Sequence, residues 1–192
     1  MRSCLHCSGP ISPLKRGDAR YCSTRCRVAA HRASALLPFE LTERPRWLRH
    51  TARKVPLTVD GDAASSTNPA TWAPFSLAAA STAGVGLGFA LNGDGVVCVD
   101  IDHCLVDGIP TSDTQRLLDM IPDTYVEVSP SGDGLHVWGF ASLSEWAGGV
   151  KICLAGVAVE FYRDRRYLTV TGKALSSTRR LADLSGVFPK PD

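Results

Sequence analysis

Three short segments carry residue types that could act together in catalysis. The first, Gly95-Val-Val-Cys-Val-Asp100-Ile101-Asp102-His103-Cys104, is an apolar, β-branched run that ends in Asp-x-Asp. Side chains alternate along a strand, so Asp100 and Asp102 point to the same face. Two neighbouring carboxylates raise each other's pKa unless a cation lies between them, so this strand end reads as a seat for a divalent metal, with an ordinary surface turn as the alternative. The second, Ser129-Pro130-Ser131-Gly132-Asp133-Gly134-Leu135-His136-Val137-Trp138, feeds a glycine-rich turn into a strand. Glycines let backbone N–H groups approach an anion closely, and His136 could donate to a phosphate. An ordinary hairpin with a core histidine is the plainer alternative. The third, Val157-Ala158-Val159-Glu160-Phe161-Tyr162, holds one carboxylate in an apolar strand. A buried unpaired Glu is costly, so Glu160 either pairs with an arginine such as Arg166 or joins a metal site. Of Arg163, Arg165 and Arg166, at least one is expected on phosphate; a solvated turn is the alternative.

A fourth constellation lies at the start of the chain. Cys4 and Cys7 form Cys-x2-Cys, and after a fourteen-residue loop Cys22 and Cys26 form Cys-x3-Cys. Two close cysteine pairs suit a tetrahedral zinc site. A unit of this size has too little core to fold alone, so the metal would supply its folding free energy. His6 and His31 are alternative ligands, and free thiols the alternative to a site. Arg16, Arg20, Arg25, Arg27 and Arg32 surround the cluster. DNA contact is the first expectation for it, with a structural or protein-docking role as the second. Cys98, Cys104 and Cys153 are scattered, and seven cysteines in uneven spacing exclude a secreted disulfide framework.

These residues need elements to position them. A helix is expected from near Ser23, and a short Ala-rich one over 76–83. Strands are expected over 85–91 and 96–101, joined as a hairpin through Asn92-Gly93-Asp94-Gly95. A helix follows over 111–121, then strands over 125–128 and 135–140. Another strand pair, 157–162 and 166–171, is joined through residues 163–165, and a short helix is expected over 177–184. Strands joined by short turns, with few helices, predict an α+β fold with a mainly antiparallel sheet. The organisation expected is a zinc-binding module over 1–32, a basic connector over 33–56 and a catalytic domain over 57–192.

Charge sharpens the division. Residues 1–54 carry 12 Lys and Arg against 3 Asp and Glu, and the rest of the 192-residue chain carries 9 against 16. A basic head suits a polyanion partner, and an acidic body beside it suits divalent metal. No apolar run approaches the roughly 18 residues that span a bilayer, and the first thirty residues lack a signal-peptide core. The expectation is a soluble chain of the cytoplasm, in a bacterial or phage-infected cell, with no membrane partner.

Taken in order, Asp-Ile-Asp-His-Cys, Ser-Pro-Ser-Gly-Asp-Gly-Leu-His, and Val-Glu-Phe-Tyr followed by Arg-Tyr-Leu-Thr-Val-Thr-Gly resemble the bifunctional primase-polymerase (Prim-Pol) branch of the archaeo-eukaryotic primase superfamily. The stretch Ala64 to Trp72 and the lead-in Lys54-Val55-Pro56 are similar to it too, so the resemblance covers about residues 47–175. It implies an RRM-like palm with an additional small α/β unit. Asp100 and Asp102 would be the metal pair, with Glu160 at the third acidic position, binding Mg2+ or Mn2+. His136 with the turn Ser131, Gly132 and Gly134 would hold the incoming nucleotide. The implied activity is nucleotidyl transfer on single-stranded DNA from nucleoside triphosphates, with a separate replicative helicase as partner. A non-catalytic replication-initiation protein and a metal-dependent nuclease are the other classes weighed. The zinc module precedes the catalytic motifs, so its role does not carry over. Independently of the resemblance, two metals held by Asp100, Asp102 and Glu160 would suit the transfer, with His136 and an arginine clamping the triphosphate.

Overall fold

The computed structural model describes residues 2–4, 6–7, 9–34, 36–142 and 149–187, without the side chains of 31–34. The alternative ligand His31 thus lies outside the described side chains. The chain divides into two compact units, 1–88 and 89–192. No helix among the described residues is long and apolar enough to cross a membrane.

The first unit opens on a tight turn in which Cys4 N–H donates to Gly9 O at 2.8 Å and Ile11 N–H to Arg2 O at 2.8 Å. The Arg2 guanidinium ties this turn to Arg16 O and Gly17 O at 2.6 and 2.7 Å. Helix α1 (Thr24–Ser34) starts where the sequence places it, with Ser23 Oγ accepting from Cys26 N–H at 3.1 Å. The stretch read as a basic connector contains α2 (Phe39–Thr42), β1 (Trp47–His50) and β2 (Pro56–Leu57), and β1 and β2 pair antiparallel. Trp47 and Leu48 are fully buried. Trp47 meets Phe75 of α3 (Phe75–Ala80) edge-on, centroids 4.8 Å apart. Arg49 Nε donates to Ala83 O at 2.7 Å, so a charge that reads as connector in the sequence holds structure.

Strand β3 (Gly86–Asn92) carries the chain across the boundary. Then follow β4 (Val96–Ile101), β5 (Leu105–Val106), β6 (Ile109–Pro110) and α4 (Ser112–Met120). The rest is β7 (Val126–Val128), β8 (Leu135–Phe140), β9 (Val150–Leu154), β10 (Val157–Tyr162), β11 (Asp164–Val170) and β12 (Ala182–Asp183). Six of these strands form one sheet in the order β12-β8-β4-β10-β9, with β7 also on β8. The neighbours in that sheet pair antiparallel except β12, which runs parallel to β8. The fold is α+β and mainly antiparallel.

Alternation along the central strands sorts two faces. Val97, Val99 and Ile101 of β4, Leu135 and Val137 of β8, and Val159 and Phe161 of β10 form one buried apolar face with Leu117 of α4. Helix α4 is capped by Thr111, whose side chain accepts from Thr114 N–H, so the helix expected over 111–121 is present. The intervening residues, among them Asp100, His136 and Glu160, project from the other face.

Four sequence expectations are corrected. Residues 92–95 do not make a hairpin: β4 lies in the six-stranded sheet, whereas β3 neighbours β11 in a different one. The same is true of β10 and β11, whose link crosses between sheets. The two crossings lie side by side, Gly93 N–H donating to Arg163 O at 3.1 Å. Gly93 and Gly95 have the positive φ that turn chemistry predicts, but strand partners are chosen by packing at a distance. Strand β9 was not expected. It pairs with β10 across Ala155-Gly156, both at positive φ, as two-residue hairpins demand. Residues 177–184 are not a helix but a loop ending in β12.

Gly139 admits β12. A Cβ there would lie 2.5 Å from Leu184 Cδ1 and 2.9 Å from Ala182 O. Gly139→Ala should therefore lower stability by about 1–3 kcal/mol, read as a lower urea midpoint. An unchanged midpoint would mean that β12 does not pack on β8 in solution.

Candidate active site

Register places the chemistry. Glu127 of β7 faces His136 of β8, His136 faces Asp100 of β4, Asp100 faces Glu160 of β10, and Glu160 faces Lys151 of β9. Directly opposed residues share a face, with Cβ atoms roughly 4.5–5.5 Å apart. One row of ionisable side chains thus crosses five strands.

His136 is 3% exposed. Its Nε2 lies 3.6 Å from Asp100 Oδ1, and its Nδ1 lies 3.4 Å from Glu127 Oε1. Glu127 is fully buried. Its Oε2 accepts from Gly172 N–H at 2.8 Å, Thr171 N–H at 3.1 Å and Tyr125 Oη at 3.1 Å, and its Oε1 accepts from Trp138 Nε1 at 3.3 Å. This carboxylate joins β7, β8 and the end of β11 behind the imidazole and fixes which ring nitrogen faces Asp100. Sequence reasoning missed Glu127, although the signal used for Glu160, a lone carboxylate in an apolar strand, is present in Tyr125-Val126-Glu127-Val128.

Glu160 sits beside the Lys151 ammonium and receives a hydrogen bond from Tyr162 Oη. Lys151, then Tyr162, hold its carboxyl below the usual range. The Arg166 guanidinium lies 5.0 Å from the Tyr162 ring centroid. Lys151, Glu160, Tyr162, Asp164, Arg165 and Arg166 line a pocket of about 330 Å³. Lys151 too was missed, because β9 was. Arg163 is not with them: it lies 3.5 Å from Asp164 Oδ2 and lines another depression with Gly93, Asp94 and Gly95.

Asp102 follows β4 in an exposed turn, ahead of His103 at φ 49°. His103 Nδ1 meets Asp133 Oδ2 at 2.6 Å, fastening that turn to the glycine-rich loop. A Cβ on Gly134 would lie 2.8 Å from Ile101 O, so glycine there lets the loop press against the end of β4. Gly132 is at φ 88° and its N–H donates to Ser129 O at 3.0 Å. Its amide therefore closes the turn. Ser131 Oγ lies 2.8 Å from Ser129 Oγ.

Asp100 and Glu160 are like charges directly opposed, which destabilises a sheet unless a cation compensates. Their hard oxygen donors fit a divalent ion such as Mg2+ or Mn2+. Among the described residues the expected trio Asp100, Asp102 and Glu160 does not converge as a three-ligand group; Cys4, Cys7, Cys22 and Cys26 are the group whose ligand atoms all lie within 4.8 Å of one another. His6 is not in that group. Sulfurs about 2.3 Å from a central zinc would be roughly 3.8 Å apart; Cys22 Sγ lies 3.5 Å from both Cys7 and Cys26 Sγ. Burial opposes ionisation of Cys4, yet the amides of Cys22, His6 and Cys7 bring its thiol down to about 6. The neighbouring thiols of Cys7, Cys26 and Cys4 push Cys22 up to about 12. Further thiolates in so tight a group call for a cation, and the donor set fits zinc.

Glu127→Gln would offer an amide to a nest of donors. It should cost about 1–3 kcal/mol, measured by chemical denaturation, and a neutral result would remove Glu127 as the anchor of His136.

No known family profile matches the sequence. The chain is 33% identical over 145 residues to the DNA primase-polymerase of Nitratiruptor phage NrS-1, a match covering 72% of this chain and 20% of that protein. The chain therefore spans about a fifth of the relative's length. This similarity supports a phage Prim-Pol domain in the chain.

Proposed function

We propose that this chain is a metal-dependent DNA primase-polymerase domain that makes or extends primers on single-stranded DNA. The observation that carries the reading is the register that sets His136, Asp100 and Glu160 side by side on one face, together with kinship to a phage DNA primase-polymerase.

Asp100, Asp102 and Glu160 would hold Mg2+ or Mn2+. Divalent ions there supply activation of the primer hydroxyl and neutralisation of the departing pyrophosphate. His136, oriented by Glu127 through Nδ1, places Nε2 beside Asp100; as the imidazolium, with both nitrogens protonated, it would also donate Nε2–H to a phosphate oxygen. Arg165 and Arg166 line the pocket next to Glu160 and place positive charge where a triphosphate tail would lie. Arg163 is a poorer candidate, since it lines a different depression. The Ser131–Gly134 loop, tied to the Asp102 turn through His103 and Asp133, sets the distance between the metal seat and the phosphate site. The basic, cysteine-bearing head would hold zinc and grip the template backbone.

The direct test incubates the protein with primed and unprimed template, Mg2+ or Mn2+, and labelled nucleotides. Strand growth is expected; template shortening would indicate a nuclease, and a gel shift alone a binding protein. Losing a residue that merely supports a metal ligand costs roughly 10–100-fold, so Asp100→Asn and Asp102→Asn should each cut synthesis at least about 100-fold while template binding persists. Undiminished synthesis in these variants would overturn the assignment. For the head, elemental analysis should find about one zinc per chain, lost in Cys22→Ser together with template affinity at low salt.

A further inference from the structure

Lys151 stands at the end of the carboxylate row. Its backbone is fixed opposite Glu160 on the outermost strand, yet its side chain is 83% exposed. Such a side chain keeps most of its rotamers, so its ammonium can exchange partners at little cost. Two partners are within its compass. One is Glu160 Oε1, which it contacts. The other is the pocket it shares with Arg165 and Arg166. Glu160 does not depend on Lys151 alone, since Tyr162 Oη also donates to it.

A divalent ion on Glu160 and an ammonium on the same oxygen repel each other. We propose that Lys151 and the catalytic divalent ion compete for Glu160, and that the displaced ammonium binds the phosphate tail of the incoming nucleoside triphosphate. This rests on the metal assignment made above and extends it to a residue outside the three motifs. Metal entry then creates part of the nucleotide site, because the cation leaving Glu160 is delivered beside Arg165 and Arg166. Three cationic side chains lining one pocket gain more from each added phosphate, which favours a triphosphate over a monophosphate.

The test is a pair of titrations on the full chain without template: Mn2+ alone, followed by the electron paramagnetic resonance of the free ion, and dATP at saturating Mn2+. An exposed ion pair is weak, so Lys151→Met should tighten Mn2+ binding by about two- to fivefold. Loss of a charged hydrogen-bond donor should weaken dATP binding by about 10–100-fold. Lys151→Arg should lie near wild type in both. Structural damage would weaken both, so opposite changes are the signature. Lys151→Met with unchanged or weaker Mn2+ binding, or with unchanged dATP binding, overturns the inference. Wild-type protein that binds no Mn2+ sensitive to Asp100→Asn would instead sink the metal assignment and this inference with it.

Discussion

The site depends on strand register. Asp100, His136 and Glu160 share a face only because β4 pairs with β8 and β10 as it does. What locks that pairing is on the other face, where Val97, Val99, Ile101, Val137 and Phe161 pack under α4. Slipping one strand by a single residue would turn its carboxylate or imidazole into this apolar layer and its valines toward the cleft. Burying a charge there without a partner costs several kcal/mol. The core therefore aligns the chemistry, and the polar row is positioned by residues that never touch it.

Within the row, charge sign explains the order. The His136 imidazole separates Glu127 from Asp100, and Lys151 flanks Glu160. Asp100 and Glu160 are the like-charged neighbours of the row, where a divalent ion is chemically suited. Glu127 plays a different part from the other carboxylates. It is wholly buried and surrounded by donors from three segments of chain, so it holds a fixed charge at the back of the imidazole rather than offering one to a ligand.

The sequence was most legible where local rules suffice. The Asp-x-Asp strand, the strand carrying His136, the strand carrying Glu160 and helix α4 follow from alternation and capping, and all four are where those signals put them. It was least legible where a partner is chosen at long range. Asn92-Gly93-Asp94-Gly95 has hairpin chemistry, yet its flanking strands part into different sheets. Trp47–His50 was hidden among arginines, one of which turned out to hold backbone carbonyls. Glu127 and Lys151 were missed because their importance comes from what lies across the sheet, which no single segment reveals. The cysteine spacing, by contrast, marked the four thiols that the structure brings together.

Among the described residues, strand β9 also lies at the margin of the six-stranded sheet. A bare margin is an invitation for another polypeptide to add itself by backbone pairing, and natural proteins discourage this with a charged residue, above all lysine. β9 reads Val-Lys-Ile-Cys-Leu, and Lys151 is its sole charge. The charge opposite Glu160 is thus also the one that discourages backbone pairing along this edge. A neutral replacement at this position would therefore remove two things at once, the cation beside Glu160 and the charge that protects the edge.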